Sequence, residues 1–394
     1  MNTMLEKVDK EFVLPTYSRN YVNFKYGKNA TLYSDTGYDY IDFTSGIGVV
    51  SVGHGNEQVA KTLYEQAKKI IHISNLYLIE PQAVLAKKIV ELSGYDVKVF
   101  FSNSGAEANE GAIKMARKHG KTFEDEKFEI ITLENSFHGR TLATLKATAQ
   151  EKMHKHFTPY PDGFVYAKDL DDVYNKITDK TSAVMMELIQ GEGGITPLDK
   201  QKVQELCRYL KEKNILLIID EVQSGVFRTG KFLASNYYEI EPDIVTLAKG
   251  LGGGVPIGAI LTRQKNIFEA GDHGSTFGGN YLCTATAIEV LNILTELKKS
   301  EKLKNTIDMF HEKLITLSTE FPDIFGEVVG IGLMKGVRVK SDELLAEIIK
   351  KAFAKRVLVL KSGRSTLRFL PPLTISQKEL ELGFERLHSA VSEI

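Results

Sequence analysis

The stretches ILLIID (215–220) and DIVTLA (243–248) decide the fold. Each is a short apolar run rich in β-branched residues, and each opens into unusual sequence. Glu221-Val222-Gln223 follows the first, and Lys249 with Gly250-Leu251-Gly252-Gly253-Gly254 follows the second. A strand with one wet face alternates apolar and polar residues, whereas a continuous apolar run suggests burial on both faces of a parallel sheet. Similar runs recur outward at KVFF (98–101), FEIITL (128–133) and SAVMMELI (182–189), separated by amphipathic or polar stretches. The alternation predicts an α/β fold around a mostly parallel sheet over residues 52–298. Ligands of such sheets bind beyond the carboxyl ends of the strands, so the residues after these runs are the candidate site.

The flanks read differently. Polar KKSEKLK (298–304) breaks the alternation and marks a boundary. Beyond it the pattern predicts a helix over 302–320, strands within VVGIGLMKGVRV (328–339), a helix near 342–354, strands at VLVL and TLRFL, and a last helix from Ser376. Residues 299–394 are therefore α+β in character. The first 51 residues, with turn signals at Asn29 and Asp35-Thr36-Gly37, predict hairpins that must pack against another part of the chain.

Composition narrows the function classes. At 394 residues the chain has room for roughly two to three cores. With 43% hydrophobic and 26% charged residues, it has no compositional case for global disorder. Basic and acidic residues number 50 and 51 with no basic tract, which argues against nucleic acid and anionic membranes and for small-molecule partners. Cys207 and Cys283 supply neither a disulfide framework nor a zinc set. The N-terminus MNTMLEKVDKEF carries charges where an export signal needs an apolar run. No apolar stretch nears the ~20 residues that cross a bilayer. A cytoplasmic protein is expected.

Two arrangements carry chemistry. In FFSNSGAEANEGAIKMARKHG (100–120), Ser104 and Glu107 have capping-box spacing and Gly120 fits a helix C′ position. A helix start there would leave the amides of Gly105 and Ala106 open to a phosphate, although a plain capped helix has the same sequence. Asp220 and Lys249 project from two strand ends. They fit a buried salt bridge, or a lysine that carries a flat covalent cofactor and needs the space its glycines provide. Phe137 and His138 fit simple packing as readily as a cofactor wall. The HxH pair His154 and His156 lacks acidic or cysteine partners at ligand spacing, so no metal site is expected. Gly330, Gly332 and Gly336 miss the dinucleotide spacing.

NSGAEANE (103–110), SFHGRT (136–141), QGEGG (190–194), IIDEVQSGVFRTG (218–230), LAKGLGGGVPIGA (247–259), STFGGN (275–280) and RFLPPL (368–373) occur in a telling order. With that order and spacing the chain resembles the class III pyridoxal-phosphate aminotransferases, most closely their acetylornithine branch, from LPTYSRN (14–20) to the C-terminal helix. The resemblance implies a fold-type I enzyme. Its large domain, 52–298, would bind the cofactor, and a smaller α+β domain would combine 1–51 with 299–394. It further implies a homodimer with shared active sites. The implied reaction passes the terminal amino group of N2-acetyl-L-ornithine to 2-oxoglutarate in arginine biosynthesis, with succinyl-diaminopimelate as a further donor.

By the same resemblance, Lys249 would hold pyridoxal 5'-phosphate through a Schiff base and then move the substrate's proton. Asp220 would keep the pyridine nitrogen protonated so that the ring accepts electrons. Gln223 would face the ring hydroxyl, Phe137 and Val222 would cover the two ring faces, and Gly105 and Ala106 would bind the phosphate with Thr276 of the other subunit. Arg140 would be a permanent cation for substrate carboxylates. Arg368 would be a switchable one, masked by Glu192 while the donor is bound, with Ser275 also in the substrate-binding set. Ile47 stands where ornithine enzymes of the family carry tyrosine, and Leu188 where many relatives have proline. Aminotransferases of 4-aminobutyrate, succinylornithine or ornithine remain alternatives. So do a nicotinamide oxidoreductase and a non-catalytic ligand-binding dimer.

Overall fold

The computed structural model describes residues 3–394, so the first two positions of the amino-terminal segment lie outside the described residues. A helix over Thr3–Phe12, which the hairpin expectation for this segment did not foresee, precedes β1 (Phe24–Lys28), β2 (Thr31–Ser34) and β3 (Asp39–Asp42). Next come β4 (Lys98–Ser102), β5 (Glu129–Leu133), β6 (Phe164–Ala167) and β7 (Thr181–Met186), then the short pair β8 (Ile189–Gln190) and β9 (Thr196–Pro197). They are followed by β10 (Leu216–Asp220), β11 (Ile244–Leu247) and β12 (Gly258–Thr262). The last strands are β13 (Phe325–Ile331), β14 (Met334–Val339), β15 (Val357–Leu358), β16 (Leu360–Ser362) and β17 (Thr366–Phe369).

The central sheet has seven strands in the order β4-β12-β11-β10-β7-β5-β6. All five apolar runs enter it, and every residue of β7, β10 and β11 is buried. Successive residues point to opposite faces. Leu217 and Ile219 pack with Val203, Leu206 and Leu210 of the helix Lys200–Glu212, while Leu216 and Ile218 pack with Ala108, Ala112 and Ala116 of the helix Gly105–Lys121. Parallel pairing links β11, β10, β7, β5 and β6.

The KVFF run, β4, points the same way as the other four runs but joins them through β12, which runs antiparallel to both β4 and β11 and is the strand that departs from the parallel expectation. The link Ala248–Ile257 is too short for a helical crossover, so the chain after β11 returns in the opposite direction.

The helices Lys302–Glu320, Asp342–Ala354 and Gln377–Val391 form where the sequence predicts, the last capped by Ser376. The amino-terminal hairpins pack against this part of the chain. β3 pairs in parallel with β15, Ile41 opposite Val357, and Phe43 contacts the rings of Phe310, Phe369 and Phe384. The strands β13, β14, β17 and β16 form a second four-stranded sheet. Gly120 is not a C′ residue. The helix continues through Lys121, and a Cβ at position 120 would collide with the Lys127 carbonyl, so this glycine permits a close chain approach. Among the described residues no helix is long and apolar enough to cross a membrane.

Candidate active site

A cavity of about 410 Å³ opens where β10 and β11 end. Asp220, Val222 and Gln223 enter it from the end of β10, and Lys249 from the turn after β11. Gly105 and Ala106 border it at the start of the helix that follows β4, and Phe137 and Arg140 lie on the loop after β5. The topology thus gathers eight of the expected site residues in one space.

Ser104 caps the helix, its Oγ accepting the Glu107 N–H at 3.1 Å. The capping box is only half made. Glu107 turns its carboxylate to the backbone and side-chain amides of Asn103, each at 2.8 Å, instead of the Ser104 amide. Gly105 and Ala106 therefore meet the cavity at the positive end of a 17-residue helix.

Asp220 is buried and held from three directions. Its Oδ2 accepts from Asn109 Nδ2 at 2.7 Å and lies 2.8 Å from His138 Nδ1, while Oδ1 accepts the Val222 N–H at 3.0 Å. Asn109 also donates to the His138 carbonyl and accepts from Thr246 Oγ1, both at 2.7 Å. Lys249 has φ 41, left-handed backbone that a residue with a Cβ adopts only under constraint. Burial pushes its amine below the ordinary lysine range, against the opposing pull of Asp220 and Glu192.

Arg368, on β17, is buried, and its Nη1 donates to Glu192 Oε1 at 2.6 Å and to the Gly191 carbonyl at 3.3 Å. The pair stands beside the cavity, close enough for both charges to act on Lys249. Arg140 is exposed, lies over the Phe137 ring at 5.5 Å and has no ion-pair partner among the described residues. Ser275 and Thr276 do not line the cavity. Ser275 Oγ accepts from Asn103 Nδ2 at 3.1 Å and from the Gly278 amide at 2.9 Å, and Thr276 is exposed. Ile47 lies in a left-handed turn with φ 66, and nearby Ser45 is anchored by its N–H to Asp42 Oδ1 and by its hydroxyl to the Leu370 carbonyl. His154 Nε2 meets the Leu145 and Thr148 carbonyls at 2.9 and 2.7 Å, a structural task. Among the described residues no group of three or more His, Cys, Asp or Glu is placed to hold a metal.

Sequence reading overlooked Asn109, the His138–Asp220 contact and Glu187, which also lines the cavity. Asn109 could have been found as the polar residue beside the buried stripe Ala108, Ala112 and Ala116. Glu187 is the one acid inside SAVMMELI.

The aminotransferase class-III family model matches residues 14–391. The chain belongs to the class III aminotransferases, which depend on pyridoxal 5'-phosphate. It is 59% identical over 393 residues to the acetylornithine aminotransferase of Wolinella succinogenes, covering 99% of this chain and 100% of that one. Among solved structures it is similar to N-acetylornithine aminotransferase from Stenotrophomonas maltophilia, with 32% identity, a TM-score of 0.82 and 98% of both chains covered. It is also similar to the ornithine aminotransferase of Toxoplasma gondii, in a structure with partial occupancy of PLP at the active site. There the identity is 29% and the TM-score 0.94, over 100% of this chain and 95% of that one.

The residues present fit the cofactor of a class III aminotransferase. A Cβ at Gly105 would stand 2.7 Å from Val222 Cγ1, so glycine keeps this corner open for a flat ring and its phosphate. Among the described residues Gln223 Oε1 is buried without a partner, an acceptor left for a ring hydroxyl.

Proposed function

We propose that this aminotransferase moves the terminal amino group of N2-acetyl-L-ornithine to 2-oxoglutarate, yielding N-acetyl-L-glutamate 5-semialdehyde and L-glutamate. The observation that carries the reading is the opposite state of two arginines: Arg368 is buried against Glu192, while Arg140 at the cavity has no ion-pair partner among the described residues. A donor that reacts through a terminal amine has no carboxylate beside the reacting carbon, whereas glutamate does. An unmasked arginine facing the donor's methylene would be costly, so a retractable carboxylate is physically sensible. The likeness to the Wolinella succinogenes enzyme supports the acetylated donor and a place in arginine biosynthesis. Succinyl-diaminopimelate fits the same pocket logic as a further donor.

When bound, pyridoxal 5'-phosphate supplies an electrophilic carbon and a ring that takes up the electron pair left when the substrate carbon loses its proton. Lys249 would anchor it and, as an amine whose pKa burial lowers, would move that proton. Asp220 holds a proton at the pyridine nitrogen, its own position fixed by Asn109, His138 and the Val222 amide. Gln223 receives the ring hydroxyl, and Phe137 and Val222 exclude water from the two ring faces. Gly105 and Ala106 bind the phosphate by their amides. Arg140 takes the distal carboxylate of both substrates, Glu192 yields Arg368 to the α-carboxylate of glutamate, and Ser275 borders the substrate.

A homodimer with Thr276 reaching the partner's phosphate site completes the reading. It is supported by an exposed apolar surface that includes Leu76, Leu78 and Phe277, residues 88%, 98% and 61% exposed. The pairing of β3 with β15 supports residues 1–51 and 299–394 as one small domain against a large domain of 52–298. The two free cysteines fit a cytoplasmic setting.

The test is the visible absorbance of the holoenzyme mixed separately with acetylornithine, succinylornithine, ornithine and 4-aminobutyrate. Acetylornithine is expected to react fastest. A faster reaction with 4-aminobutyrate overturns the donor assignment.

A further inference from the structure

Phe137, the Gly191–Glu192 turn and Arg368 lie on separate segments, yet one side chain without an assigned role connects them. Glu187 follows β7 and is buried at the cavity wall. Its Oε2 accepts the Phe137 N–H at 3.0 Å, and its Oε1 accepts the Gly191 N–H at 3.1 Å. Beyond Gly191 the connection continues, because the Gly191 carbonyl accepts from Ser362 Oγ at 2.7 Å and from Arg368 Nη1 at 3.3 Å. That same Nη1 donates to Glu192 Oε1 at 2.6 Å. On the other side, Phe137 precedes His138, which contacts Asp220.

Burying a carboxyl in an apolar strand end is expensive, and an apolar residue would serve packing alone. What Glu187 adds is two acceptor oxygens aimed at two loops. We propose that Glu187 is a positioning residue that couples the cofactor wall to the arginine switch, its ionised form holding the Gly191–Glu192 turn so that Glu192 lies on Arg368. Protonation removes one good acceptor, loosens the turn and favours the open switch. The proposal rests on the reading of Glu192 and Arg368 given above.

The surroundings allow both forms near neutrality. Burial pushes Glu187 up to about 7. His138 opposes the rise, Asp220 adds to it, and the amides of Phe137 and Gly191 favour the carboxylate. Lys249 also feels Glu187, Glu192 lies on the turn that Glu187 holds, and Arg368 donates to that turn.

The test measures single-turnover rates of the holoenzyme with glutamate and with acetylornithine, and follows their ratio across about pH 7. The donors' own titration is common to all variants and drops out of comparisons between them. In the unaltered enzyme the glutamate-to-acetylornithine ratio is expected to rise several-fold as pH falls. Glu187→Gln should hold the ratio at its acid value throughout, and Glu187→Asp should retain a pH dependence with a displaced midpoint. A residue that merely packs would lower both rates together and leave the profile of the ratio intact, which overturns the proposal. A flat ratio in the unaltered enzyme overturns it without any variant. Glu192→Ala separates the two claims. If it leaves the ratio unchanged, the switch reading fails. If it raises the ratio while both Glu187 variants keep the unaltered profile, only the role of Glu187 fails.

Discussion

Lys249 stands at the end of an apolar strand with its backbone in a region that costs a non-glycine residue of order 1–3 kcal/mol. Of the glycines from 250 to 254, Gly254 borders the cavity, while Gly252 and Gly253 permit close packing against Val255, Ile257 and Val290. Borohydride reduction should fix the cofactor's mass on the peptide containing LAKGLGGG, and a label on another lysine would contradict the assignment. Lys249→Ala should keep the cofactor through Asp220 and the helix amides yet lower turnover by roughly a hundredfold or more. Asp220→Asn should fold and lose a comparable share, since a neutral amide cannot hold the ring nitrogen protonated; near-normal turnover would place the electron sink elsewhere. Lys249 and Asp220 were legible because strand ends announce themselves in a linear sequence. Asn109 and His138 were not, because their meaning is a contact with Asp220 across three separate segments.

The helix Gly105–Lys121 shows how an element serves both core and site. Its alanine stripe seats it on the sheet, and that seating brings its positive end to the cavity. Gly105→Ala would drive a Cβ toward Val222, an overpacking cost of roughly 1–3 kcal/mol. Cofactor affinity should fall about tenfold or more, measured by titration of the apoenzyme. Adding Val222→Ala should recover much of the loss, and no recovery would mean that the amides themselves had moved. At this scale the long apolar runs and the carboxy-terminal helices were legible. Two strands were not. β6 is an edge strand with one fully buried residue, β12 begins within a glycine-rich stretch that reads as loop, and the reversal at β12 follows from the length of a link rather than from any residue in it.

The site lies at the carboxyl ends of the middle strands, and the exposed apolar side chains Leu76, Leu78 and Phe277 stand on two segments joined by Asn75 Nδ2 donating to the Ser275 and Gly278 carbonyls. If Thr276 serves the partner's site, mixing Lys249→Ala with a bulky replacement of Thr276 should restore activity, because a hybrid dimer has one site with both defects and one with neither. Random pairing predicts recovery of roughly a quarter of normal activity. No recovery after verified subunit exchange would show that each site is complete in its own chain. The joining of the two chain ends was legible only through the family resemblance, since nothing in YDYIDF itself names its partner. That joining also sets an order in time. β3 leaves the ribosome early, but the strand that covers its edge, and the rings of Phe310, Phe369 and Phe384 that surround Phe43, come from the last quarter of the chain. At roughly 5–20 residues per second, about 300 residues of synthesis leave that edge waiting for a quarter of a minute to a minute. The central sheet needs nothing beyond β12 to pair all its strands, so the first residues to be made are among the last to find their place.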